Sequence, residues 1–304
     1  MQNKAATSQP PASLILKARR YQQPGLSQAQ RLCPWHSAAV DEELVAKIRR
    51  DEAAGTDLSA ADLEGARLNR ANLAKANLSG ANLREARLNG ANLESARLEG
   101  ANLHGASLSG AALTGANLSS ANLREARLNG ANLEYARLKG ADLCGASLEG
   151  SRIAWVDLDG AALTRARLNG VKGGRQAHFG SADIKGRELN GADLEGANLV
   201  GANLEGAHLE GSRLRGARLT EANLSNATLT GADLEGANLV GANLEGANLE
   251  GSRLRGARLT EANLNNATLT GAEFIDVSIE GAVWEGTNLD VARFTSAKPE
   301  RPAF

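Results

Sequence analysis

From Leu58 to Leu168 an aliphatic residue returns at every fifth position, leucine throughout except for Ile153. Alanine stands two positions earlier nearly every time, as at Ala61, Ala66, Ala71 and Ala76. A period of five matches neither the 3.6 of an amphipathic helix nor the 2.0 of a long strand. Within each phrase, however, Ala and Leu are two apart, which places both on one side of a short extended piece. The two residues that follow must turn a corner. Glycine is common at the second of them (Gly65, Gly80, Gly90, Gly100), as a turn with positive φ at that position favours. Each pentad therefore reads as one very short strand and one turn.

Such a unit does not hold itself together. Ordering a residue's backbone costs about 1–2 kcal/mol, and burying a leucine returns only about 1.5–3 kcal/mol. Stability must come from stacking, with successive coils pairing backbone groups at about 4.8 Å and burying a column of Leu over Leu. The core is then thin and filled by side chains, and the surface available for recognition is the outside. Aromatic residues make up only 3% of the chain, too few for an ordinary globular core, and the leucine columns take their place.

The phrase A-[N/D/R]-L-x-x, carried across most of the chain, resembles the pentapeptide-repeat family. The resemblance implies an all-β fold, a right-handed quadrilateral β-helix with four pentads per coil and about 12 coils, with a short N-terminal capping α-helix read from the sequence ahead of it. Residues 191–230 recur at 231–270 with only His208/Asn248 and Ser225/Asn265 differing, an offset of 40 residues that agrees with four sides and does not by itself require them.

Along the chain, residues 1–36 are rich in Pro, Gln, Ser and Ala, carry Lys4, Lys17, Arg19, Arg20 and Arg31, and contain no acid. They read as a disordered basic segment, with a targeting peptide as the alternative. Residues 37–55 read as a capping helix: Val40, Leu44, Val45 and Ile48 share a face, Ser37 or Asp41 caps the start and Gly55 ends it. Residues 56–175 form a first array, Gln176 is an extra residue that slips the register by one, residues 177–296 form a second array, and 297–304 form a tail. Near the slip, Val171-Lys172-Gly173-Gly174-Arg175 puts glycine where leucine belongs. Towards the end, Phe274, Ile279, Trp284, Leu289 and Phe294 take over the inner positions.

If side chains about 20 residues apart stack, as the resemblance implies, outward residues form columns. Asp193, Arg213, Asp233, Arg253, Glu273 and Arg293 make one of alternating sign, and Glu195, Arg215, Glu235 and Arg255 another. Opposite charges on adjacent strands fix register, so this face neutralises itself. Arg67, Arg87, Ser107, Arg127, Ser147 and Arg167 make an arginine stripe suited to a partner's carboxylates or to phosphates, with Glu64, Glu85 and Glu125 nearby to damp it. Tyr135 and Trp155 fall at outward turn positions one coil apart, with Arg175 expected next in their column. Exposed aromatics beside an arginine are the material of protein-binding hot spots. Alternatively, Trp155 folds over the irregular stretch 151–156.

Chemistry is sparse. His36, His104, His178 and His208 are scattered, and Cys33 and Cys144 form no spaced set, so no metal site, cofactor or disulfide framework is expected. No nucleophile has an evident base and no phosphate loop is present, so the chain is not expected to be an enzyme. Formal net charge is −1, which gives no nucleic-acid footprint, and no apolar run is long enough to cross a membrane. The reading is a non-catalytic solenoid acting as a protein–protein interaction scaffold or spacer, cytoplasmic, without a small-molecule substrate, and a monomer or an end-to-end homodimer. The candidate protein-binding residues are Tyr135, Trp155, Arg175, Arg67, Arg87, Arg127 and Arg167. Some members of the family resemble B-form DNA in size and charge and inhibit DNA gyrase, giving quinolone resistance, and a DNA-mimicking modulator of gyrase or topoisomerase is the alternative function. Those members tend towards phenylalanine cores and acidic surfaces, whereas leucine and near-balanced charge prevail here. A third possibility is no binding role beyond structure.

Overall fold

The computed structural model describes residues 42–295 with the exception of residue 181. The basic segment 1–36 and the tail 297–304 lie outside the described residues, as do the helix-start candidates Ser37 and Asp41. One α-helix, α1 (Glu42–Arg49), opens the described region, with Val45 and Ile48 buried. It begins with Glu42 and Glu43 and ends with Lys47 and Arg49, charges that suit the positive N-terminal and negative C-terminal ends of a helix. Val45 and Ile48 belong to the same hydrophobic cluster as Leu58 and Leu63.

Beyond α1 the chain winds into a β-helix. Each pentad contributes a single-residue parallel bridge to the coil above, in four columns that begin at Asp57↔Asn77, Asp62↔Asn82, Arg67↔Arg87 and Asn72↔Asn92, a spacing of 20 residues per coil. The bonding is uniform. The Leu63 N–H donates to the Asn82 carbonyl (2.7 Å), the Asn82 N–H to the Ala61 carbonyl (2.9 Å), and the Gly65 N–H to the Arg84 carbonyl (2.8 Å). Ala66 then donates to Leu63 (3.1 Å) and closes the turn. Strand and corner both bond to the neighbouring coil, so almost no backbone group is left over. Two-residue strands appear only at the far end, where β1 (Glu273–Phe274) pairs in parallel with β2 (Arg293–Phe294).

Leu93, Leu199 and their column neighbours are fully buried, as are the alanines two positions before them, and one continuous cluster runs from Val45 to Leu289. At the far end leucine gives way to aromatic packing: Phe274 stacks on Phe294 (ring centroids 4.9 Å apart) and meets Trp284 edge-on at 5.8 Å. Corners need positive φ, and glycine serves at most of them. Yet Arg70, Lys75, Glu85, Tyr135 and Trp155 also hold φ between 57° and 60°, a conformation that costs an L-residue about 1–2 kcal/mol. Stacking above and below imposes the corner geometry whichever residue occupies it.

The register slip differs in place from the sequence expectation. Arg152 bridges Lys172, but Asp157 bridges His178 and Ala162 bridges Asp183, so one residue is added between Lys172 and His178. Gln176 is an ordinary corner with φ 56°. The added residue is Gly173, whose N–H turns to the Asp193 carboxylate (3.2 Å). Gly174 then takes the leucine's role, donating to the Asp193 carbonyl at 2.8 Å. A Cβ on Gly174 would run into that carbonyl and stand 2.7 Å from the Leu194 Cα. The reason is local: only adjacent glycines allow the chain to bulge and also press directly on the next coil.

Candidate docking surfaces

Tyr135 and Trp155 are the two most exposed large hydrophobic residues among those described, at 58% and 49% of their full accessibility. Their rings stack, with centroids 6.1 Å apart and planes within 8°. The backbone explains why. Both are corner residues, and the Tyr135 N–H donates to the Ala154 carbonyl beside Trp155 (2.9 Å), so their side chains leave adjacent coils in one direction.

Arg175 is not next in that column. Because Gly173 is inserted, the Trp155 N–H reaches the Arg175 carbonyl (3.0 Å), and the following corner belongs to Gln176. Arg175 occupies the position before the corner, with its guanidinium 4.0 Å from Glu195. The corner column then continues through Gly196, Gly216, Gly236 and Gly256, each donating to the coil below at 2.8 Å.

Arg67, Arg87, Arg127 and Arg167 do fall in one bridged column, with Ser107 and Ser147 between them. Arg167 pairs with Glu149 (3.3 Å). The other three make no ion pair among the described residues. The acids expected to damp the stripe are partly engaged elsewhere: Arg84 holds Glu64 (3.1 Å) and Glu85 (2.8 Å). On the alternating face, Arg213 meets Asp193 (3.8 Å) and Glu195 (2.9 Å), Arg215 meets Glu235 (3.2 Å), and Arg293 meets Glu273 (3.5 Å). A shallow depression on this side is lined by Arg215, Gly216, Glu235, Gly236, Arg255, Gly256 and Asp276.

One feature escaped the sequence reading. Asn82, Asn102 and Asn122 form a ladder in which each side-chain amide donates to the residue one coil above, Asn82 to Asp62 (3.0 Å), Asn102 to Asn82 (3.2 Å) and Asn122 to Asn102 (3.1 Å). A second ladder runs through Asn203, Asn223, Asn243 and Asn263 at 3.1–3.4 Å. The signal was present as asparagine recurring at the coil spacing.

Titratable groups are mostly solvated. Burial raises the pKa of the Cys144 thiol, and the neighbouring Asp142 carboxylate raises it further. For Asp142, burial alone would raise the pKa, but hydrogen bonds from Cys144 and the Arg124 guanidinium outweigh it and hold the carboxyl below its ordinary value. Among the described residues no group of three or more His, Cys, Asp or Glu is placed to hold a metal ion, and no helix is long and apolar enough to cross a membrane.

The family described as Pentapeptide repeats matches eight times, at 54–90, 91–130, 111–150, 126–170, 177–216, 197–236, 217–256 and 237–274. The chain is a pentapeptide-repeat protein. The matches leave out residues 171–176, the segment that contains the slip. Among solved structures, this pentapeptide-repeat chain is similar to HetL, a pentapeptide repeat protein involved in heterocyst differentiation regulation from the cyanobacterium Nostoc sp. Strain PCC 7120. Identity is 37% over 71% of this chain and 84% of HetL, with a TM-score of 0.32. QnrB1, a plasmid-mediated fluoroquinolone resistance protein, is 19% identical over 72% of this chain and 90% of its own, with a TM-score of 0.28. A pentapeptide repeat protein of the Arabidopsis thaliana thylakoid lumen is 24% identical over 46% of this chain and 74% of its own, with a TM-score of 0.15. No curated protein matches.

Proposed function

We propose that this pentapeptide-repeat protein is a non-catalytic scaffold that docks a partner protein on its outer surface. The observation that carries the reading is the exposed stack of Tyr135 on Trp155, the two most exposed large hydrophobic residues among those described. Two large rings held rigid by adjacent coils present apolar area at little further entropic cost on binding, the property of an interface anchor. The interior favours the same reading, because leucine and alanine fill it and every recognition group lies outside. Arg67, Arg87 and Arg127 add an exposed cationic stripe able to meet a partner's carboxylates.

DNA mimicry is the less favoured reading, since a mimic needs a continuous acidic face, whereas the Asp193–Arg293 face alternates in sign from coil to coil and the Arg67–Arg167 column is basic. The test is photo-crosslinking in native extract from a probe placed at the exposed Arg137, two residues from Tyr135 in the same coil, in the wild type and in Tyr135→Ser/Trp155→Ser. Discrete protein adducts that the double substitution abolishes are the expected result. Adducts that survive it, or none in either protein, would remove the aromatic stack as a docking site.

A further inference from the structure

The corner that carries Tyr135 and Trp155 continues as a different surface in the second half of the array. Its residues there are Gly196, Gly216, Gly236 and Gly256, with φ of 63–65°, and a Cβ on any of them would meet nothing within 4 Å. Four consecutive corners without side chains leave a bare backbone floor. Side chains wall it on both sides: Glu195, Arg215, Glu235 and Arg255 immediately before the glycines, and Asn198, Arg218, Asn238 and Arg258 two residues after them. The depression described above lies on this floor.

The walls carry a pattern. The coil of Asp193 and Glu195 is acidic, that of Arg213, Arg215 and Arg218 basic, that of Asp233 and Glu235 acidic, and that of Arg253, Arg255 and Arg258 basic. Internal pairing uses Arg213 and Arg215. Arg218, Arg253, Arg255 and Arg258 are exposed and make no ion pair or side-chain hydrogen bond among the described residues. The excess positive charge therefore stands on two coils separated by one acidic coil.

We propose that this lane docks an extended segment of a partner protein in which acidic residues recur at every third position. The inference rests on the scaffold reading and names the chemistry of one partner segment. Basic coils two steps apart are separated by about 10 Å, and three residues of extended chain span about the same distance. Carboxylates at positions i and i+3 thus face Arg218 and Arg255/Arg258, while the uncharged residues between them pass Asp233 and Glu235. The glycine floor lets the incoming backbone approach closely. A uniform polyanion such as single-stranded nucleic acid is a poorer occupant, because its charges also fall against the acidic coil. Guanidinium forks bind carboxylates in bidentate fashion, which suits Arg218, Arg255 and Arg258, the unengaged arginines of the walls.

The test uses the full chain and fluorescence anisotropy at low ionic strength. The probe is a labelled peptide of four Glu-Thr-Thr repeats, with a peptide of the same composition whose glutamates are contiguous and a thymidine oligonucleotide of equal charge as comparators. The spaced peptide is expected to bind about fivefold more tightly than either comparator, and Arg255→Gln/Arg258→Gln to weaken it by about the same factor. Gly236→Asn changes no charge and keeps a residue that Asn226 and Asn266 show is accommodated at such corners (φ 56° and 58°). It should obstruct the floor and weaken binding as well, whereas Arg70→Gln/Lys75→Gln, at exposed corners of the first half, should leave it unchanged. Absent binding, equal binding of both peptides, preference for the oligonucleotide, or equal loss in the Arg70/Lys75 variant would each overturn the proposal. If the lane fails while crosslinks beside Trp155 persist, the scaffold reading stands without it.

Discussion

Single residues in this protein are judged by what a coil above and a coil below allow them. Ser212 and Ser252 replace the inner alanine, are fully buried, and have hydroxyls without a hydrogen-bond partner. An unsatisfied buried hydroxyl costs about 1–3 kcal/mol, and alanine is already the prevailing residue at that site. Ser212→Ala and Ser252→Ala are therefore each expected to stabilise the fold by about 1 kcal/mol, read as a higher denaturant midpoint. A shift to lower midpoint would show that the hydroxyls are paired. Cys144 gives a chemical counterpart. With its thiol pKa raised by burial and by Asp142, little thiolate forms at neutral pH. Alkylation of the Cys144 peptide, followed by mass spectrometry, should run slower than that of an unstructured cysteine. Its neighbour Asp142 has the opposite sign. Because its folded pKa is depressed, the stability it lends is present above the ordinary carboxylate pKa and is lost as pH falls through the folded value. Asp142→Asn should narrow the gap in stability between neutral and acidic pH.

At the scale of the coil and the helix, the slip is the most constrained element. Gly174 lies against the Asp193 carbonyl and the Leu194 Cα with no room for a methyl. Gly174→Ala is expected to push the two coils apart and lower stability by about 3 kcal/mol, while Gly236→Ala, at an open corner, should cost only about 1 kcal/mol from positive φ alone. Equal effects in urea titrations on spacing-sensitive probes such as Trp155 fluorescence would contradict the bulge. The slip also lacks the buried leucine that other coils have, so amides at 172–178 should exchange with deuterium before those at 98–123. Helix α1 buries Val45 and Ile48 in the core cluster, and we propose that it covers an otherwise open backbone edge. Removal of residues 1–50 should then yield aggregates by light scattering, and a soluble monomer would count against a capping role.

At the scale of the whole array, the coils form a nearest-neighbour stack whose outward side chains fall into columns, some of alternating charge, one of arginine and some of asparagine. Alternating columns hold register, the asparagine ladders tie coil to coil, and the Arg67–Arg127 stripe and the walls of the glycine corner carry arginines without an ion pair among the described residues. Because the acidic side chains of the Asp193–Glu273 face are interleaved with arginines such as Arg213 and Arg215, that face is not continuously negative. We therefore expect no effect of the protein on gyrase-catalysed DNA supercoiling, with or without a quinolone. Protection of gyrase at equimolar protein would favour the DNA-mimic reading instead.

The five-residue spacing of leucine and alanine was enough to place Leu93, Leu199 and their neighbours inside, because a period that suits neither helix nor strand leaves stacked short turns as the way to bury both. The column of Arg67, Arg87, Arg127 and Arg167 followed as well, since a fixed coil length turns sequence offsets into neighbours. The position of the slip did not follow. Counting pentads reveals that one residue is extra between Leu168 and Phe179 but gives every residue there the same claim to be it, and only the backbone contact of Gly174 with Asp193 decides that Gly173 bulges. That single residue moved Arg175 off the aromatic column and put Gln176 and the glycine floor in its place. Which arginines remain unengaged was likewise a tertiary matter: sequence sets the order of charges along a column, whereas pairing depends on which carboxylate each guanidinium reaches across the coils.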